Sequence, residues 1–248
     1  MKFQWIGGPS FLLEAGNFRV LCDPVFGDGE SRQVSRSVSL PEFSLDGLDA
    51  VLVTRNQVDH FDTEAASRIG KRVRAFAPER GIKSRVEEGF ENVTTLDWWE
   101  HAVREKSGYT MEITAVPTRL PDSRRSGDAN GYMIRFTDGK RTHLTYWTGD
   151  TLWFSDTREI KERFGQIDLL VVHLGAVETN GSAVTLDGKE AMQFVFMFQP
   201  KRILPINHNT FSYYREPVDA FKERISLTMY ERRLINLVEG ETYEWKVR

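Results

Sequence analysis

Three short, mostly apolar runs, 3–6, 11–14 and 18–22, open the chain, separated by Gly7-Gly8-Pro9 and Ala15-Gly16-Asn17. Runs of that length bounded by Gly and Pro predict two β-hairpins, suited to the antiparallel edge of a larger sheet. Residues 50–53 are apolar throughout and predict a buried strand, with a helix starting at 63–69 behind it. Further strands are expected at 74–78, 92–96 and 109–116, the last alternating apolar and polar residues as a half-buried strand does. A helix over 82–88 lies among them. Asn130-Gly131 opens a strand at 132–136, and Asp138-Gly139 is a hairpin signal leading into its partner, 143–147.

Beyond that point strands and helices alternate. A helix ends at 160–164, a buried strand covers 168–175, and 187–198 has helical spacing with Asp187 as its N-cap. A strand at 201–206, a helix at 217–225 and a closing strand at 242–245 follow. No composition break marks a linker, and no repeat recurs at a fixed period. Hairpins in both halves with interleaved helices predict an α+β fold, a four-layer αββα sandwich taken as a single domain over 1–248. The stretches 27–39 and 121–128 are expected to be exposed loops that set specificity.

Composition narrows the function classes. The 248 residues are 40% hydrophobic and 12% aromatic, enough for a sizeable core. A net charge of −3 with scattered basic residues argues against a nucleic-acid or membrane-surface partner. The single cysteine, Cys22, excludes an internal disulfide and a cysteine metal cluster; it is expected as a small buried apolar residue. With no signal-peptide pattern at residues 1–8 and no apolar run long enough to span a bilayer, a cytoplasmic protein is expected. Oligomeric state is not set by the sequence.

The chemistry gathers where 50–53 runs into Thr54-Arg55-Asn56-Gln57-Val58-Asp59-His60-Phe61-Asp62. A buried strand ending in a polar loop at a helix N-terminus is a common place for catalytic groups. The stretch resembles the signature of the metallo-β-lactamase superfamily: a hydrophobic strand, a Ser or Thr, then His-x-His-x-Asp-His. Other landmarks follow in the expected order: Gly7-Gly8, Asp23-Pro24, the Pro117 loop, Tyr146 to Asp150 and Leu204-Pro205-Ile206. The resemblance covers nearly the whole chain and is nearest to the metal-dependent-hydrolase branch that includes ascorbate-6-phosphate lactonase-like proteins.

That resemblance implies the αββα fold and, in active members, two metal ions at the strand ends. Carried over residue by residue, the first ion's positions hold Arg55, Gln57 and Arg119. The second ion's positions hold Asp59, His60, Asp150 and Asn207. Arg can only donate hydrogen bonds and Gln offers a neutral amide, so the resemblance implies a degenerate first site and a residual second one. Without cations Asp59 and Asp150 would be uncompensated, and Arg55 and Arg119 are expected to supply the counter-charge.

Two functional expectations follow. One is a catalytically inactive relative, a pseudoenzyme without cofactor, whose cleft binds an anionic small molecule through Arg55, Gln57, Arg119, Asn207 and His208. The other is a hydrolase with one divalent ion (Mn²⁺, Mg²⁺, Fe²⁺ or Zn²⁺) on Asp59, His60 and Asp150, with Asp59 catalytic only when metal is bound. Its substrates would be lactones, esters or phosphodiesters. A structural role for the fold's surface is the third. His208 follows Asn207, but successive strand residues face opposite ways. His173 is expected to be a satisfied core histidine, His143 to face solvent or a neighbouring strand, and His101 to lie on a helix or loop surface. Asp23, by the resemblance, braces the signature loop, and Asp62 suits an N-cap. Trp98, Trp99, Trp147 and Trp153 are candidates for the wall of a cleft or, as Trp more often is, for bulk in the core.

Overall fold

The parity of buried positions sorts the strands into layers. In the computed structural model, residues 1–27, 35–79, 85–121 and 128–246 are described. The first half holds β1 (Lys2–Gly7), β2 (Ser10–Ala15), β3 (Phe18–Cys22), β4 (Ala50–Leu52), α1 (Thr63–Arg68), β5 (Arg74–Pro78), α2 (Arg85–Gly89), β6 (Asn92–Leu96), β7 (His101–Lys106) and β8 (Tyr109–Val116). The second holds β9 (Gly131–Thr137), β10 (Thr142–Trp147), α3 (Thr157–Phe164), β11 (Leu169–His173), β12 (Glu178–Thr179), β13 (Ser182–Ala183), α4 (Gly188–Phe198), β14 (Arg202–Ile206), α5 (Val218–Ser226) and β15 (Thr242–Glu244).

Two sheets face each other. One runs β15-β1-β2-β3-β4-β5-β6, antiparallel from β15 to β3 and parallel from β3 onward. The other runs β14-β11-β10-β9-β8-β7. Side chains alternate across a strand, so each strand feeds two cores. Val20 and Cys22 of β3 point into the core between the sheets, while Leu21 packs outward with Phe61 and Ala65 under α1. Likewise Trp147, Leu169 and Val171 face inward, and Tyr146, Leu170 and Val172 pack outward against Phe194, Phe198 and Phe221 of α4 and α5. The layers are therefore helix, sheet, sheet, helix, as the apolar pattern predicts.

Both predicted caps are present. Asp187 Oδ1 accepts from Glu190 N at 2.7 Å, and Asp62 Oδ1 accepts from Ala65 N at 2.7 Å. The second oxygen of Asp62 also accepts from Phe26 N (2.9 Å) and Gly27 N (2.7 Å), tying the loop after β3 to the start of α1. Asp62→Ala leaves these donors unpaired and should lower stability by about 2 kcal/mol in chemical denaturation. A change below a few tenths would mean water replaces the carboxylate.

Some expectations need correction. His101 lies on strand β7, an edge strand with mostly exposed, charged residues and so no apolar alternation to reveal it. His143 is buried, with Nε2 3.0 Å from Thr145 Oγ1 of its own strand and its ring beside Trp245, so it does not face solvent. The expected helix at 82–88 is described only from Arg85, and most of the loops 27–39 and 121–128 lies outside the described residues. Cys22 is buried, and burial pushes its thiol pKa up, in keeping with its apolar role. Among the described residues no helix is long and apolar enough to cross a membrane.

Candidate metal centre

Three strand ends meet on one side of the sandwich. β4 delivers Thr54 and the loop 55–62, β10 delivers Asp150 through a turn at Gly149, and β11 ends at His173. Gly149 has φ +59°, and a Cβ there would lie 2.9 Å from both the Asn130 carbonyl and a Thr54 methyl, so only glycine makes this turn without strain.

Asp23 anchors the group from the end of β3. It is fully buried and accepts from Thr54 N (2.7 Å), Thr54 Oγ1 (2.5 Å) and His60 Nδ1 (2.8 Å). That fixes a proton on Nδ1 and turns His60 Nε2 toward Asp150, whose Oδ2 lies 2.9 Å away. The other oxygen of Asp150 is 3.0 Å from His173 Nδ1. His173 Nε2 accepts from the Trp147 indole N–H at 2.8 Å, so the proton of His173 sits on Nδ1 and is donated to Asp150. A continuous chain of contacts thus runs Asp23, His60, Asp150, His173, Trp147.

Burial alone would lower the pKa of His60, but the carboxylates of Asp150, Asp23 and Asp59 outweigh it and hold the imidazole well above its ordinary value. Burial would raise that of Asp150; His60 and His173 reverse the sign and keep it ionised. The guanidinium of Arg55, only 3% exposed, adds a longer contact of 3.7 Å from Nη1 to Asp150 Oδ2. With the Gln57 amide turned so that its oxygen faces the guanidinium, it accepts from Arg55 Nη2 (2.8 Å) and Nε (3.3 Å).

Asp59, His60 and Asp150 each offer a ligand atom, all within 4.8 Å of one another. The donor set fits a divalent cation on charge as well as distance. In this group three carboxylates, Asp23, Asp59 and Asp150, face two positive charges, Arg55 and protonated His60. Exchanging the Nε2 proton for a divalent ion would bring the sum to zero. Each buried ligand also has the outer partner that metal ligands characteristically carry: Asp23 behind His60 and His173 behind Asp150.

The remaining expected site residues are placed differently. Arg119 is exposed, and among the described residues no ion pair joins it to either aspartate. The expectation that Arg55 and Arg119 share the counter-charge is corrected: Arg55 supplies part of it and His60 the closer part. Asn207 is buried, but its Oδ1 accepts from Tyr214 Oη at 2.7 Å, which leaves its amide N–H groups for other contacts. His208 packs at a tilt against Trp5 (ring centroids 4.6 Å apart), and the charged groups that act on it are Lys222 and Asp219 of α5. It does not join the Asp59–His60–Asp150 group.

His173 is the functional residue the sequence reading misses. It shares the parity of Leu169 and Val171, which face the core between the sheets, and it ends a buried parallel strand next to the one that delivers Asp150. Those two facts together are the signal that could have found it. Trp147 walls no cleft; it is a core residue whose one polar atom serves His173.

An αββα sandwich with an Asp-His-Asp cluster at its strand ends is the arrangement of the metallo-β-lactamase fold. The chain belongs to the β-lactamase superfamily: the model of the Beta-lactamase superfamily domain matches residues 18–208. It is 26% identical over 247 residues to a UPF0173 metal-dependent hydrolase of Pyrococcus abyssi, covering 98% of this chain and 99% of that one. It is also 26% identical over 273 residues to N-acyl-phosphatidylethanolamine-hydrolyzing phospholipase D 1 of Caenorhabditis elegans, covering 97% of this chain and 74% of that protein. Among solved structures, isothiocyanate hydrolase from Delia radicum gut bacteria superposes with a TM-score of 0.79 at 18% identity, covering 99% of both chains; that likeness is one of fold. The expectation of a catalytically quiet relative finds no support in these likenesses or in the gathered ligand set.

Proposed function

We propose that the chain is a hydrolase working with one divalent cation held by Asp59, His60 and Asp150, on an ester, lactone or phosphodiester substrate. One observation carries this reading: three ligand atoms within 4.8 Å, the two buried ones each oriented by a partner behind them. A cation bound there would supply the Lewis acidity that activates water and polarises the scissile group. The chain's own part is positioning. Asp23 keeps the Nδ1 proton on His60 so that Nε2 is the ligating atom, and His173 occupies Asp150 Oδ1 so that Oδ2 faces the same point. Two oxygens and one nitrogen suit Mn²⁺, Fe²⁺ or Mg²⁺ better than a tetrahedral zinc site. Arg119, exposed and outside the carboxylate group, is the donor available to an anionic substrate. The names of the hydrolases from Pyrococcus abyssi and Caenorhabditis elegans support a hydrolytic reaction.

Elemental analysis of protein purified without chelator tests this. About one divalent ion per chain is expected, falling to background in Asp150→Asn, with hydrolysis of bis-p-nitrophenyl phosphate or p-nitrophenyl acetate lost in parallel. Metal-free protein that takes up none of Mn²⁺, Fe²⁺, Mg²⁺ or Zn²⁺ on addition would leave the inactive, anion-binding reading in its place.

A further inference from the structure

We infer that the chain has a second ligand site, for a small phosphate-bearing molecule, in an arginine-lined cleft at the opposite end of the sandwich from the metal centre. The cleft has a volume of about 280 Å³, and its charged and polar walls are Arg72, Arg74, Arg104, Asp49 and Asn92. Asp49 directly precedes β4, whereas Thr54 of the metal centre follows it. Five residues of extended chain put the two sites roughly 16 Å apart. Arg74 and Asn92 begin β5 and β6, so the cleft sits at the N-terminal ends of the parallel strands. Arg104 reaches it from β7 of the other sheet.

The charge balance points to an anion. The one carboxylate in the cleft, Asp49, is already engaged: Lys106 Nζ lies 2.6 and 2.9 Å from its two oxygens, and the backbone N–H of Arg19 donates to Oδ2 at 2.9 Å. Arg74 gives one long hydrogen bond, 3.4 Å, to Thr94 Oγ1 and keeps its other donors. Among the described residues Arg72 and Arg104 have no acidic partner. Three arginines line the cleft beside a single carboxylate that Lys106 already holds, and in a chain of net charge −3 that concentration of positive charge is local. Guanidinium forks match phosphate oxygens in pairs, and three from two sheets can clasp a di- or triphosphate from several sides. The cleft's size limits the ligand to a small molecule, and the Asp49–Lys106 pair links the two sheets at its wall.

Titration calorimetry with inorganic pyrophosphate at low ionic strength tests the site independently of the metal centre. Wild-type protein should bind about one equivalent, and Arg72→Gln and Arg104→Gln, made separately, should each weaken binding about tenfold or more. Arg72 and Arg104 are exposed, so melting temperatures should stay near wild type. Asp150→Asn should bind pyrophosphate as wild type does, which separates this site from a phosphate held at the metal centre. The proposal is overturned by the absence of saturable binding, by binding that survives both arginine variants, by binding lost in Asp150→Asn, or by equally tight binding of citrate.

Discussion

Asp23→Ala should be among the most damaging single changes in the chain, lowering stability by about 3–5 kcal/mol, the range for removing one partner of a buried ion pair. The carboxylate is fully buried and accepts three hydrogen bonds, from the Thr54 amide, the Thr54 hydroxyl and His60 Nδ1. Alanine removes the acceptor of all three buried donors and one of the charges that keep His60 protonated. Asp23→Asn is the informative companion. It preserves shape and one carbonyl acceptor but presents an amide N–H₂ to a donor, so it should recover part of the stability and none of the fixed orientation of His60. Urea denaturation reads the first effect. Metal affinity reads the second, with a loss of about 10–100-fold expected from removing a partner behind a ligating histidine. A stability loss under about 1 kcal/mol for Asp23→Ala would mean that the loop 55–62 is held by other contacts.

The second large effect is acid sensitivity between pH 6.5 and 4. His143 and His208 are both buried, and for each the largest cause acting on it is burial, which pushes its pKa down to about 4. Asp168 pulls that of His143 partly back, and the Pro205 carbonyl does so for His208. In the unfolded chain both titrate near 6.5. As pH falls below 6.5 the unfolded state takes up protons that the folded state refuses, so stability present above pH 6.5 is lost progressively down to about pH 4. At about 1.4 kcal/mol per pH unit, each histidine contributes roughly 3 kcal/mol over that window. Urea midpoints at pH 7 and pH 4.5 should differ accordingly, and the difference should shrink in His208→Phe, which also retains the ring contact with Trp5. An unchanged pH slope in that variant would assign the acid lability elsewhere.

The fold was legible because its strands carry their burial in their parity. Residues 109–116 alternate, and 50–53 and 169–172 are apolar on both faces as parallel strands between two layers must be. The caps at Asp62 and Asp187 were legible for a different reason: a short acidic side chain before a helical pattern has one geometry that satisfies the first-turn amides. What could not be read was β7, whose residues face solvent and whose place is set by pairing with β8. At the site, Asp59, His60 and Asp150, which the family resemblance implies, lie together. The role of Arg119 was not, because position in a motif fixes where a backbone passes and not where a long flexible side chain goes. His173 was hidden by its neighbours: in a run of apolar residues buried on both faces, hydrophobicity does not say which face a histidine takes.

The contact between the Trp147 indole and His173 gives the molecule an internal optical gauge. Indole emission shifts with the hydrogen-bonding state of its N–H, and this one ends the relay that begins at Asp23 and passes through both buried ligands. A fluorescence difference between loaded and chelated protein, abolished in Trp147→Phe, would track occupancy of the centre in solution without any substrate.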